Sequence, residues 1–169
     1  QLIEESPDKL HYHLLKGHAL KSLGKRQRAI EAYKEAAKIK PAHGDAWWSL
    51  ANVKTYHFEE AEIAQMQHAE ADVSTEPVDR YQLCFALGKS FEDGENYAAA
   101  FDHYARGNQL KLAETRYRAE RTDKEFARQK TTCTPRFFED RAGFGVHSNE
   151  PIFIVGMPRA GSTLIEQIL

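Results

Sequence analysis

The stretch YHLLKGHALKSLGKRQRAIEAYKEAAKIKP, Tyr12 to Pro41, decides the fold. Small and aromatic residues stand at helix-pairing positions on either side of a glycine turn: Gly17 in a first helix, Gly24 in the turn, and Ala29, Tyr33 and Ala36 in a second helix. Pro41 closes the unit, because proline cannot continue a helix from within. The pattern predicts two antiparallel helices held close by small residues, with a tyrosine filling the gap.

The unit repeats. Pro7 and Pro41 stand 34 residues apart (41 − 7), the period of a tetratricopeptide repeat, and the stretch resembles that family's helix-turn-helix unit. A second unit opens with GDAWWSLANV, where Trp47, Leu50 and Ala51 take the family's first-helix places, and ends near Pro77, 36 residues after Pro41 (77 − 41). Its YHFEEAEIAQMQHAEADV segment lacks the small-then-aromatic pattern, which predicts an irregular second helix. The third unit is regular again, with Leu87, Gly88 and Phe91 in CFALGKSF and Tyr97, Ala100 and Tyr104 in NYAAAFDHYARG. LKLAETRYRAERTDKEFARQ then keeps a helical period with Leu112, Tyr117 and Phe126 inward, and reads as the solvent-faced helix that closes a solenoid. QLIEES before Pro7 reads as the end of a further repeat, so the chain is expected to be a piece of a longer protein.

Trp47 is expected in the core between repeats. The opposite face of each first helix lines the groove of such an array. It carries His11, Leu14, His18 and Lys21 in the first unit, Asp45, Trp48, Asn52 and Thr55 in the second, and Gln82, Phe85, Lys89 and Glu92 in the third. This face is expected to bind an extended peptide, a partner protein or the protein's own catalytic domain.

With 23 Lys+Arg against 25 Asp+Glu, no global field favours a polyanion or an acidic membrane surface. Arg116, Arg118, Arg121, Lys124, Arg128 and Lys130 alternate with Glu114, Glu120, Asp123 and Glu125, as on an exposed helix laced with local ion pairs, so nucleic acid is not expected as a partner. Two cysteines, Cys84 and Cys133, without paired spacing fit a reduced, cytoplasmic protein. His11, His13 and His18 do not share the i, i+4 spacing of a helical metal pair, and no metal is expected. The longest apolar run, PIFIVGM, is far short of the roughly 20 residues of a membrane span.

The last stretch has a different character. TTCTPRFFEDRAGFGVHSNEP reads as a linker with one short helix. In PIFIVGMPRAGSTLIEQIL, Ile152 to Val155 suit a buried strand, Gly156 to Gly161 a loop, and Ser162 to Leu169 a helix with Leu164, Ile165, Ile168 and Leu169 on its apolar face. Strand, glycine-rich loop and helix in that order suit a phosphate-binding loop. The spacing of Gly156 and Gly161 matches the triphosphatase loop, but Ser162 stands where that motif requires lysine, and Arg159 supplies a cation earlier. A guanidinium there can fork onto phosphate or sulfate oxygens while Ser162 and Thr163 donate hydroxyls.

This segment resembles the 5′-phosphosulfate loop of sulfotransferases that use 3′-phosphoadenosine 5′-phosphosulfate (PAPS), whose usual form is close to PRSGTT. With WWSLANVKTYHF, FALGKSFEDGENYAAAFDHYARGNQL and CTPRFF, the whole chain resembles bacterial proteins that place tetratricopeptide repeats before such a domain. Ala160 stands where that family often has serine and Ser162 where it often has threonine. The resemblance implies sulfuryl transfer from PAPS to a hydroxyl, with Arg159, Ala160, Gly161, Ser162, Thr163 and Leu164 holding the phosphosulfate, Ala160 and Leu164 through their backbone N–H groups. It also implies that the general base and the 3′-phosphate site lie beyond Leu169, so the chain alone is expected to transfer no sulfate.

The expected architecture is an all-α tetratricopeptide solenoid with closing helix over 1–130, a linker over 131–150, and over 151–169 the strand-loop-helix start of a P-loop-like α/β sulfotransferase domain. A non-catalytic repeat scaffold is the main alternative, and a triphosphatase or kinase a third.

Overall fold

Gly17 and Tyr33 set the first helix pair. A Cβ at Gly17 would lie 2.3 Å from the Tyr33 ring, so only glycine lets α1 (Leu10–Ser22) and α2 (Arg26–Ile39) close over it. Tyr33 is fully buried, with its hydroxyl 2.9 Å from His18 Nδ1. Between the helices Gly24 sits at φ +70°; its N–H donates to Lys21 O and the Lys25 N–H to Leu20 O. This left-handed stop satisfies carbonyls that the end of α1 would leave orphaned. These features come from a computed structural model that describes residues 9–115, 117–146, 148 and 150–169. Pro7 and Arg116 lie outside the described residues.

The same device recurs in the third unit, α5 (Pro77–Asp93) and α6 (Tyr97–Thr115). A Cβ at Gly88 would meet the Tyr104 ring at 2.6 Å. The stop after α5 again pairs Asn96 N–H with Phe91 O and Glu95 N–H with Glu92 O, but its left-handed residue is Glu95, at φ 59°.

The second unit departs from the expected form. Its second helix, α4 (Glu60–Ala71), is an unbroken helix, so the predicted irregularity is not there. It falls in the first helix instead: α3 (Gly44–Ala51) stops after eight residues. Asn52 Nδ2 donates to Trp48 O, and the chain folds back through turns at Val53 and Tyr56. Tyr56 then donates to Glu62 at 2.6 Å, and Phe58 lies against Trp47 with ring centroids 6.2 Å apart. Aromatic burial thus closes the space where the missing turns of α3 would run.

Packing follows α1–α2, α2–α3, α3–α5, α4–α5 and α5–α6. Tyr33, Leu50, Met66, Leu83 and Leu87 are fully buried at its centre, each of the aliphatic ones contributing roughly 1.5–3 kcal/mol. Trp47 joins this core as expected, its indole N–H donating to Pro41 O at 2.8 Å.

The chain divides into two compact units between Tyr117 and Arg118. The predicted closing helix is therefore not continuous: α6 ends at Thr115 and α7 (Ala119–Thr132) belongs to the second unit. Leu112, Tyr117 and Phe126, expected inward, are all more than half exposed. α7 has no buried residue and too few apolar side chains to form a packed face. α8 (Pro135–Glu139) is the short helix of the linker; Pro135 occupies its first turn and Thr134 Oγ1 accepts from the Phe137 N–H.

The expected strand at Ile152–Val155 does not form, and no strand occurs among the described residues. A β-strand is held by a ladder to a neighbour, and none of the described residues supplies one. Ile152, Phe153 and Val155 are exposed. The helix that follows does form, as α9 (Ser162–Ile168), with its apolar face exposed.

Candidate functional site

Two first helices bring the aromatic residues of the expected groove together. Trp48 on α3 and Phe85 on α5 are both half-buried, with ring centroids 5.7 Å apart. Phe85 also meets Tyr81 at 6.1 Å, and Lys111 of α6 lies over the Tyr81 ring at 4.5 Å. The space beside Phe85 exists because position 107 is glycine, whose Cβ would meet that ring at 2.9 Å.

The other groove residues divide by what they already touch. Leu14 is buried in the core and is not part of an open face. His18 is engaged by Tyr33, Glu92 accepts from the Tyr104 hydroxyl, and Lys89 pairs with Asp93. The Asp45 charge and, above all, burial push the Tyr33 phenol above its ordinary range. His11, Lys21, Asn52 and Thr55 are exposed and Gln82 is half-buried. Lys21 and Asn52 come together in a cleft of about 370 Å³ lined also by Arg26, Val53 and Lys54, three residues that groove periodicity did not single out.

A buried polar knot, invisible to local spacing, ties α4, α5 and α6. Glu70, Cys84 and His103 place their donor atoms within 4.8 Å of one another, yet they are spread over three helices. Arg106 supplies the cation: its Nε lies 3.2 Å from Glu70 Oε1 and its Nη2 3.0 Å from His103 Nδ1, while the Cys84 thiol donates to Glu70. Burial and the Glu70 carboxylate push the Cys84 thiol up to about 11, and burial and Arg106 push His103 below its ordinary value. A neutral thiol, a neutral imidazole and a guanidinium already on the carboxylate form a closed structural network.

In the second unit, Gly161 lies at φ +87° directly before α9, with open space around its Cβ position, and Arg159 takes the left-handed conformation at φ 67°. Ala160 N–H donates to Met157 O, and Leu164 and Ile165 N–H both donate to Gly161 O. The Leu164 N–H assigned to phosphosulfate is thus engaged within the helix. Ser162 and Thr163 open α9.

The family model described as tetratricopeptide repeat matches residues 10–43, and the helix pairs closed by glycine and aromatic are consistent with an all-α solenoid of that kind. A protein of Aquifex aeolicus (strain VF5), named "Uncharacterized protein", is 30% identical over 154 residues, covering 90% of this chain. The chain spans about a fifth of that relative's length (20%). No solved structure matches. No helix among the described residues is long and apolar enough to cross a membrane.

Proposed function

We propose that the repeat unit is a binding scaffold for an extended segment of a protein partner, with the Trp48–Phe85 pair as its anchor. The observation that supports this reading is a half-buried aromatic pair formed across two successive first helices, with exposed Asn52 one helical turn from Trp48. Rigid aromatics that are already partly desolvated are what interfaces use as hot spots. A photo-crosslinking amino acid at Thr55 traps the partner, whether another protein or a downstream domain of the same chain. Trp48→Ala and Phe85→Ala are each expected to weaken that partner's binding about tenfold with helicity unchanged. Unaltered binding in both variants rules the anchor out.

A second reading is favoured by the loop before α9. Gly161 in the left-handed region, an arginine two residues earlier and two hydroxyl residues at the helix start are the parts a phosphosulfate end requires. We propose that the parent protein is a PAPS-dependent sulfotransferase in which Arg159 forks onto the sulfate or phosphate oxygens. Ser162, Thr163 and the backbone N–H groups of 161–163 complete the anion's shell. PAPS bound there would supply the activated sulfuryl group, and donors fixed in advance around the departing phosphate stabilise its growing charge. Calorimetric titration into the full-length protein is expected to show PAPS binding, no comparable ATP binding, and about tenfold weaker PAPS binding in Arg159→Ala. Equal affinity for ATP, or no effect of the substitution, removes this reading and leaves the scaffold.

A further inference from the structure

Arg106 closes the Glu70–Cys84–His103 knot from its rim, with Nε 3.2 Å from Glu70 Oε1 and Nη2 3.0 Å from His103 Nδ1. A guanidinium only donates, so the His103 nitrogen that faces it is the unprotonated one, with its lone pair turned into the cluster. Glu70 Oε1 also takes the Cys84 thiol, at 3.5 Å. Carboxylate, thiol and imidazole are the side chains that zinc selects, and about 3.5 Å is also the sulfur-to-oxygen separation across a tetrahedral zinc ion.

Packing holds these three donors in place, and the cation is the part that can leave. Glu70 and Cys84 are buried, and the Phe91 ring stacks on His103 with centroids 5.3 Å apart. Glycine at position 107 lets α6 come this close to α5, since a Cβ there would stand 3.1 Å from Cys84 Cβ. The Arg106 side chain, by contrast, is 47% exposed and can turn out into water. The exchange of one cation for another is also neutral in charge. With Arg106 in place the knot holds one guanidinium and one carboxylate. With a divalent cation it holds two positive charges against the Glu70 carboxylate and a Cys84 thiolate, the thiol proton having passed to solvent. Neither form buries a net charge, which would be the costly outcome.

We propose that Glu70, Cys84 and His103 form a zinc site in which the metal takes the place of the Arg106 guanidinium and a water completes the tetrahedron. Its ligands come from α4, α5 and α6, so the ion cross-links the second helix pair to the third and its binding energy adds to the stability of the folded unit.

The test is titration of Co2+, a coloured substitute for zinc, into the whole chain with its thiols reduced. The expected result is one equivalent bound, with a near-ultraviolet thiolate-to-cobalt charge-transfer band that Zn2+ then abolishes. Cys133 is exposed, so Cys133→Ser is expected to fold and to keep the band, whereas Cys84→Ser loses it. Zn2+ should raise the thermal midpoint of the parent chain and leave that of Cys84→Ser unchanged. Arg106→Met removes the competing cation and none of the ligands, and should bind Zn2+ at least about tenfold more tightly in competition with a chelator. A guanidinium with a purely structural role would leave that affinity where it was. Absence of the band in the parent chain, its loss in Cys133→Ser, or an Arg106→Met affinity no higher than the parent's overturns the inference. The first two of these outcomes are decisive even where Cys84→Ser fails to fold.

Discussion

A single methyl group at position 44 is expected to break the contact between the second and third repeats. In Gly44→Ala the new Cβ would stand 2.3 Å from Asp79 O, 2.8 Å from Asp79 Cα and 2.7 Å from Gln82 Cβ. Two of these neighbours are backbone atoms of α5, so no rotamer change relieves the clash and the helices themselves must separate. Separation also stretches the hydrogen bond from the Gly44 N–H to Asp79 Oδ1, now 2.9 Å. Overpacking of this kind costs about 1–3 kcal/mol, and weakening a buried hydrogen bond adds roughly 1 kcal/mol. Urea unfolding followed by circular dichroism should show a loss of about 3 kcal/mol. Gly143→Ala, where nothing lies within 4 Å, should show almost none. A Gly44→Ala protein as stable as its parent would mean that α3 and α5 do not approach as described.

Gly17 and Gly88 were legible in the sequence for the same steric reason. A small residue in one helix and an aromatic sixteen places on in the next, Tyr33 or Tyr104, is a local pattern with one packing solution. The early end of α3 was not legible, because LANVKTYHF has neither proline nor glycine to mark it. What stops the helix is tertiary: Tyr56 reaching Glu62 and Phe58 covering Trp47. Ile152 to Val155 failed in the opposite sense. Their apolar, β-branched character suits a strand, but a strand is a property of two segments, and periodicity describes only one.

The site divides along the same line. Trp48 and Phe85 follow from helical register, which places them on one face. Arg26 opens α2 and Lys54 follows the exit of α3, where the groove register of the first helices has no meaning, and only the folded chain brings them to Lys21. Leu14 shares the register of Lys21 but is buried. The Glu70–Cys84–His103–Arg106 knot could not have been found from spacing at all, because its members come from three helices and one of them, Arg106, reads in sequence as an ordinary surface charge.

Asp79→Ala is expected to destabilise the chain by about 2–3 kcal/mol, for a reason that separates it from an ordinary surface charge. The carboxylate is buried, and its two oxygens do different work. Oδ1 accepts from the Gly44 N–H at the start of α3, and Oδ2 takes Lys40 Nζ at 2.7 Å. It also stands in the first turn of α5, where a negative charge is favoured by the helix dipole. Truncation leaves the Gly44 N–H buried without an acceptor, while Lys40, half exposed, simply returns to water. The loss should therefore come from the backbone donor rather than from the ion pair. Lys40→Met should lower stability by about 0.5 kcal/mol or less, and Asp79→Asn, which keeps an acceptor, should fall between. Gly44→Ala already forces that same hydrogen bond apart, so the double variant with Asp79→Ala should be less unstable than the two single losses added together. Strict additivity would show that the clash at Gly44 and the hydrogen bond to Asp79 are separate features, and that the second repeat is not held to the third through this one contact.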